Sequence, residues 1–365
     1  MKVGYKQTEV GVIPADWVVR QLGELATMVA SGKSAAGRVT DDYPVHGSTG
    51  IIGYTATPEY EGDVILVARV GANAGRLNYV SGKYGVTDNA IIVRMNGGCF
   101  LPFFWRQLDA KRLNRLVFGS GQPLITGTQL KALPLAIPSL PEQCVIAAAL
   151  SDVDALLSSL DALIAKKRDL KQAAMQQLLN GKTRLPGFSG KWGMRRLAEL
   201  ASIYQPQTIA ANKFADSGYP VYGANGQVGF YHSVNHKAWQ TTITCRGSTC
   251  GTVNRTEDNC WITGNAMVMN CDQTQNLDKE FFYHLLAAQD FTDCITGTGQ
   301  PQIVRAPLAE FSVIIPPTKG EQVAIAQVLS GMDTELTALE AQRNKTRALK
   351  QGMMQELLTG RTRLV

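Results

Sequence analysis

Signatures of catalysis are missing from this 365-residue sequence. No glycine-rich loop ends in Lys-Ser or Lys-Thr, which excludes a P-loop phosphate cradle. The Asn-Pro-Pro-aromatic tetrapeptide with which amino-methyltransferases grip a flipped base is absent, and so is the Asp…Glu-x-Lys arrangement of metal-dependent nucleases. Histidine is scarce. His46, His232, His236 and His284 do not form a metal-binding spacing, and the glycine and β-branched context of His232 and His236 argues against a helix there. The seven cysteines are Cys99, Cys144, Cys245, Cys250, Cys260, Cys271 and Cys294. None are separated by the two-residue gap of a zinc knuckle, so small core residues are expected instead of a metal site. An odd count with no export signal points to a reducing cytoplasm. No apolar run long enough to span a bilayer is apparent, and MKVGYKQTEV is no signal peptide, so no membrane is expected as a partner. Apolar residues make up 45% of the chain, enough for a globular protein. The net charge of +6 is a mild push toward an anionic partner.

What is present is repetition. Residues 142–185 read EQCVIAAALSDVDALLSSLDALIAKKRDLKQAAMQQLLNGKTRL, and residues 321–364 read EQVAIAQVLSGMDTELTALEAQRNKTRALKQGMMQELLTGRTRL. Roughly half of the positions are identical without a gap. Each copy predicts one long helix, preceded by Pro141 or Gly320, with Gly181 or Gly360 near its end for a left-handed cap. Leu150, Val153, Leu157, Leu160 and Ile164 alternate spacings of three and four, as do Leu329, Met332, Leu336 and Leu339. That is the narrow seam of a coiled coil. About 35 helical residues span roughly 50 Å, and such a helix needs a partner for its seam; the other copy is the nearest candidate. Met353, Met354 and Leu358 exceed what one seam needs, which predicts a second buried face. Lys166, Lys167, Arg168, Lys171, Lys345, Arg347 and Lys350 form either a solvated face or a docking or DNA-backbone surface.

The remaining segments repeat too. Trp17 with RQLGELATM returns as Trp192 with RRLAELASI, and YPVHGSTGIIGY returns as YPVYGANGQVGFY. VARVGANAG returns as ITCRGSTCG, which pairs Arg69 with Arg246, and DNAIIVRM returns as GNAMVMN, which pairs Asn89 with Asn265. FGSGQPLI returns as TGTGQPQI. Short Val-, Ile- and Tyr-rich runs punctuated by glycine predict irregular sheet domains. The chain therefore divides into residues 1–140, 141–185, 186–319 and 320–365. The fold class is α+β: two similar mixed α/β globules joined by two long antiparallel helices, with a pseudo-two-fold internal repeat. Packed antiparallel, those helices would set the globules at opposite ends of a rod.

Two similar but non-identical globules suit the reading of two half-sites on one polymer, with the helices as a ruler against a DNA repeat of about 34 Å. Arg69 and Arg246 suit bidentate contact to guanine, and Asn and Gln suit adenine. Gln122, Gln300, Asn73, Ser120, Thr249 and Thr298 sit in the same loops. Surface salt bridges or phosphate clamps are the alternatives for the arginines, and a shared structural turn is the alternative for the Gln-Pro pairs. Gly119–Gly121 is either a phosphate cradle or a tight turn. The globules differ at His46 against Tyr222 and Thr49 against Asn225, which predicts unlike half-sites.

The paired GxGQPxI segments, the two blocks opening at Trp17 and Trp192, and the two EQ-x-x-I helices ending in LLNGKTRL and LLTGRTRL resemble the specificity subunit of Type I restriction-modification enzymes over essentially the full length. The second copy departs at Gly320, where the family has a proline. The resemblance implies two target-recognition domains on double-stranded DNA, reading a bipartite asymmetric site across a fixed gap. It implies a non-catalytic subunit whose helices dock two methyltransferase subunits. Those partners, not this chain, would hold S-adenosylmethionine, and motor-nuclease subunits would join for cleavage. A specificity subunit of a fused-type system and a protein-binding scaffold are the competing readings.

Overall fold

A computed structural model describes residues 4–37, 42–118, 123–224, 226–297 and 301–364. Two compact units emerge. The first comprises residues 1–161 and 342–365, the second residues 162–341. Each therefore takes one globule, part of the first long helix (Leu140–Leu178) and part of the second (Lys319–Leu357).

In the first unit an antiparallel sheet runs in the order Ala26–Ser31, Ala90–Met95, Val64–Ala68, Leu77–Val80. Val64–Ala68 is buried along its whole length, as a central strand made of Val, Ile and Leu should be. A second sheet is built on the hairpin Tyr43–Gly47 and Gly50–Thr55, with Lys83–Val86 parallel to its first strand. The second unit repeats both sheets: Ser202–Tyr204, Ala266–Asn270, Thr241–Thr244 and Val253–Arg255 in one, and Tyr219–Gly223, Gly226–Tyr231 and Trp261–Ile262 in the other. Its central strand is Thr-rich yet equally buried. A helix completes each core, Leu101–Ala110 through Phe103 and Phe104, and Lys279–Ala287 through Phe281 and Phe282.

The two long helices pair antiparallel in both units. In the first unit Asp154 meets Lys350 at 2.6 Å and Asp161 meets Arg343 and Arg347 at 3.5 and 3.4 Å. In the second, Lys167 meets Glu335 at 2.6 Å, and Arg168 and Lys171 pair with Glu340 and Asp333. The basic residues of the helices are thus largely committed to each other's carboxylates. Exposed pairs of this kind contribute below about 1 kcal/mol each, so the seam carries the association. Leu150, Leu160, Ile164 and Leu329 are all at most 5% exposed. The expected second face is real: Met353, Met354, Leu357 and Leu358 pack into the core of the first unit. One expectation fails. The first long helix reaches a mean hydropathy of 1.4 over 18 residues, long and apolar enough to cross a membrane. Part of its apolar side is taken up within the protein: Ile146, Ala147 and Leu150 belong to the first unit's core, while Val145, Leu156 and Leu163 stay exposed.

Each unit is fastened by one buried carboxylate. Glu142 is 0% exposed; its Oε2 accepts a hydrogen bond from Trp17 Nε1 at 3.1 Å, and Arg363 closes on it through Nε and Nη2. Arg363 also donates to both oxygens of Asp16 at 3.0 Å, which holds the Asp16 carboxyl below its usual range. In the second unit Glu321, also 0% exposed, accepts from Trp192 Nε1 at 3.3 Å and from Arg184. The adjacent glutamine does a separate job. Gln143 Oε1 accepts from the Phe100 N–H at 3.0 Å, and Gln322 Oε1 accepts from the Asp278 N–H at 2.8 Å, capping the short helix of each globule. The repeated glycines follow from the same clusters. The helices end at Leu178 and Leu357, before the glycines. Gly181 and Gly360 are left-handed (φ +70° and +67°), and a Cβ there would stand 2.9 Å from Trp192 and 2.5 Å from Pro14.

The symmetry breaks at a buried position on the short helix of each globule. In the first unit Arg106 pairs with Asp154 and lies 3.4 Å from Ser151 Oγ. His284 takes its place in the second, with Nε2 3.0 Å from Ser330 Oγ and Nδ1 4.0 Å from Asp333, making no hydrogen bond at Nδ1. Burial pushes its pKa down to about 4, against the pull of Asp333.

Two predictions follow from these clusters. Glu142→Ala leaves the Trp17 indole N–H without its partner and Arg363 with Asp16 alone, and Glu321→Ala strands Arg184 and the Trp192 indole; each should cost about 3 kcal/mol in chemical denaturation of the unit concerned, the first no more than the second. For His284 the unfolded state takes up the proton first as pH falls. Its stabilisation is complete above about pH 6.5 and is lost progressively toward pH 4. Between pH 7.5 and 5 it should cost about 2 kcal/mol, seen as a drop in denaturant midpoint that His284→Gln lacks.

Candidate nucleic-acid interface

Three loops meet at one edge of each globule, and backbone hydrogen bonds fix how they meet. In the first unit the Arg69 N–H donates to the Asn89 carbonyl at 2.9 Å, the Ile125 N–H to the Arg69 carbonyl at 2.9 Å, and the Gly71 N–H to the Pro123 carbonyl at 3.0 Å. In the second the Cys245 N–H donates to the Asn265 carbonyl at 3.1 Å, the Ile303 N–H to the Cys245 carbonyl at 3.0 Å, and the Gly247 N–H to the Pro301 carbonyl at 3.2 Å. The Gln-Pro segments are therefore stitched to the arginine loops, and their prolines serve as backbone acceptors.

This bonding corrects the expected pairing of the arginines. Arg69 is equivalent to Cys245, and Arg246 to Val70; the bridges Val70–Leu124 and Arg246–Gln302 agree. Neighbours along an extended segment face opposite ways, so the two arginines point differently. Arg69 turns inward, its Nη1 3.2 Å from the Asp88 carbonyl and 3.4 Å from Ser31 Oγ. Cys245 fills that place in the second unit, buried beneath Gln205, whose Nε2 lies 3.1 Å from Sγ. Burial pushes the Cys245 thiol up. Arg246 is exposed.

The other candidates separate in the same way. His46 is half-buried, edge-on to Tyr84 at 6.0 Å, and burial pushes its pKa down, which keeps it neutral. Its carbonyl accepts from the Thr87 N–H at 2.9 Å, so the hairpin adjoins the 87–89 turn. Thr49 is exposed at the hairpin tip. Tyr222, the counterpart of His46, is not a surface reader. It is 8% exposed, packs in a core cluster, and its hydroxyl accepts from the Glu257 N–H at 3.2 Å. Asn73 and Thr249 are equivalent, each half-buried in a turn; Asn73 lines a cavity of about 440 Å³ with Arg76, Trp105 and Arg112. Ser120, Gln122, Asn225, Thr298 and Gln300 lie outside the described residues.

Two residues absent from the sequence-based set belong to this edge. Asn89 and Asn265 are exposed at equivalent turns, their backbone N–H groups donating to Thr87 Oγ1 and Thr263 Oγ1 at 3.4 Å. The Asn-Ala pair shared by DNAIIVRM and GNAMVMN was the available signal. Among the described residues no three His, Cys, Asp or Glu side chains are placed to hold a metal ion.

The sequence matches the family described as Type I restriction modification DNA specificity domain twice, over residues 14–167 and 189–346. The chain belongs to this family. It is similar to the specificity subunit of the type I restriction enzyme EcoprrI from Escherichia coli, at 30% identity over 147 residues, which is 39% of this chain and 37% of that one. The MjaVIII specificity subunit of Methanocaldococcus jannaschii aligns at 21% identity over 96% of this chain and 94% of its own length. Among solved structures, the S subunit of a type I restriction-modification system from M. genitalium has the same fold, with a TM-score of 0.70 at 17% identity, covering 98% of this chain and 99% of that one. A structure describing complex assembly of the type I R-M system gives a TM-score of 0.59 at 14% identity, over 95% and 99% of the two chains. Like its family, this protein is a specificity subunit and not an enzyme by itself.

The inward and outward arginines should part under mutation. Arg246→Ala should leave the denaturant midpoint unchanged and weaken duplex binding about 5- to 100-fold, the range of a lost bidentate base contact. Arg69→Ala should lower the midpoint by about 1 kcal/mol of stability, because it removes contacts that tie the 87–89 turn to the strand end.

Proposed function

We propose that this specificity subunit reads a bipartite, asymmetric DNA site, one half-site per globule, and catalyses nothing alone. One observation carries the reading: the same three-loop edge is built twice on the same hydrogen bonds, while its side chains differ. Arg69 stands against Cys245, Val70 against Arg246 and Asp88 against Gly264. Constant backbone with changing side chains suits one polymer met at two different sequences.

The long helices dock two methyltransferase subunits, which hold S-adenosylmethionine; motor-nuclease subunits join that assembly for cleavage. Support comes from surface residues that the repeat keeps without an internal reason. Leu170 and Leu349 are 46% and 58% exposed yet identical in the two copies. Gln172 and Gln351, and Gln176 and Gln355, are likewise kept and exposed. Each unit carries a cavity against this stretch, about 860 Å³ beside Arg347, Gln351 and Met354, and about 1130 Å³ beside Arg168, Gln172 and Met175. Equivalent surfaces fit one kind of partner bound twice.

The test is methylation. The purified chain should transfer no methyl group, and with a methyltransferase partner and S-adenosylmethionine the modified bases should map to a split, non-palindromic sequence. Leu170→Glu with Leu349→Glu should leave the fold intact and abolish co-purification of the partner. Methyl transfer by the isolated chain, or a palindromic target, would refute the proposal.

A further inference from the structure

The edge that carries the differing side chains also carries an exposed one that does not differ. Asn89 and Asn265 occupy the same place in the two units, 176 residues apart, as do His46 and Tyr222. The buried Thr87 and Ala90 recur as Thr263 and Ala266, but Asp88 becomes Gly264 and Arg69 becomes Cys245, and the exposed asparagine is kept. Packing does not require it, because both side chains are exposed. Nor does the turn. The turn is set by the threonine two residues earlier, which caps the asparagine N–H, and by the asparagine carbonyl, which accepts from Arg69 in one unit and Cys245 in the other. The backbone of each asparagine is satisfied, and among the described residues its carboxamide has no hydrogen-bond partner. A rigid turn thus presents a free carboxamide twice, identically, beside residues that vary.

Resting on the DNA-reading function above, we infer that Asn89 and Asn265 are a matched pair of contacts to the sugar-phosphate backbone that set the register of each globule on its half-site. What is constant between two unlike half-sites is the backbone, and a contact that must be made in both calls for the same residue twice. Carboxamide N–H groups are ordinary donors to phosphate oxygens, and such bonds position a protein on a duplex without reading its sequence. The varying neighbours are then left to discriminate bases.

The experiment measures duplex affinity and methylation with the protein assembled with its methyltransferase partner. Asn89→Ala and Asn265→Ala should each weaken binding about 3- to 10-fold, the loss of one hydrogen bond. The loss should be equal on the cognate site and on sites with one base pair changed, and the methylated sequence should stay the same. Asn89→Asp and Asn265→Asp should lose more, and that extra loss should shrink as salt is raised, because phosphate repels the new charge across screening solvent. Both asparagines are exposed, so unchanged thermal unfolding serves as the control for folding. Affinity within twofold of wild type would overturn the inference. So would relaxed discrimination at a single base pair, which would make the residue a base reader. A wild-type assembly that ignores duplex DNA would instead sink the functional reading beneath it.

Discussion

A carboxylate taken out of water must find cationic and hydrogen-bonding partners or lose its charge. Glu142 and Glu321 meet that requirement in a way that determines the topology. Glu142 stands at the start of the first long helix, and its partner Arg363 follows the end of the second. Glu321 stands at the start of the second, and Arg184 follows the end of the first. Each cluster therefore joins the beginning of one helix to the end of the other, which only an antiparallel pair allows. The seam supplies apolar contact between the helices, while these two clusters select orientation. Tryptophan completes each one, so the globule is fastened to the helices at the same point. Gly181 and Gly360 are there because nothing larger fits under the indole side of the joint.

Fastening the scaffold this firmly frees the loops. The central strand changes from Val-Ile-Leu-Val-Ala to a threonine-rich sequence without losing burial. Two of its three threonine hydroxyls are met locally: Thr242 donates to the Asn254 carbonyl at 3.5 Å, and Thr244 to the Ala224 carbonyl, while Thr241 Oγ1 has no partner among the described residues. That last bond ties the hairpin tip to the strand end, at the edge where the first unit uses Arg69 to hold its own turn. The two units thus brace different loops of the same edge with different side chains, while the backbone bonds between the loops are the same in both.

Much of the architecture was legible before any coordinates. The 44-residue repeat announced the helices, the period of three and four announced their seam, and the excess of Met353, Met354 and Leu358 announced a second buried face. The reason for Glu-Gln and Thr-Arg-Leu was not legible. The glutamates meet their tryptophan and arginine partners across more than a hundred positions of chain, and the glutamines meet Phe100 and Asp278 from 43 and 44 positions away; no local pattern records such contacts. The interface was legible in its loops but not in its side chains. Tyr222 looked like a reader because it differs from His46 at a matched loop position; its hydroxyl instead serves the Glu257 backbone. A sequence shows that two positions correspond, but not which of them faces water.

The arginines sharpen that point. Matching by letter set Arg69 against Arg246, and the hydrogen bonds set them one residue apart. In an extended segment a single step turns a side chain to the opposite face, so the same residue in nearly the same loop is a tie in one unit and an exposed cation in the other. Such a step alters what the edge offers to DNA while every backbone bond holding the edge stays in place. A fold with that property can change its edge one residue at a time without disturbing the helices, which suits the proposed role of a reader built separately from its catalytic partners.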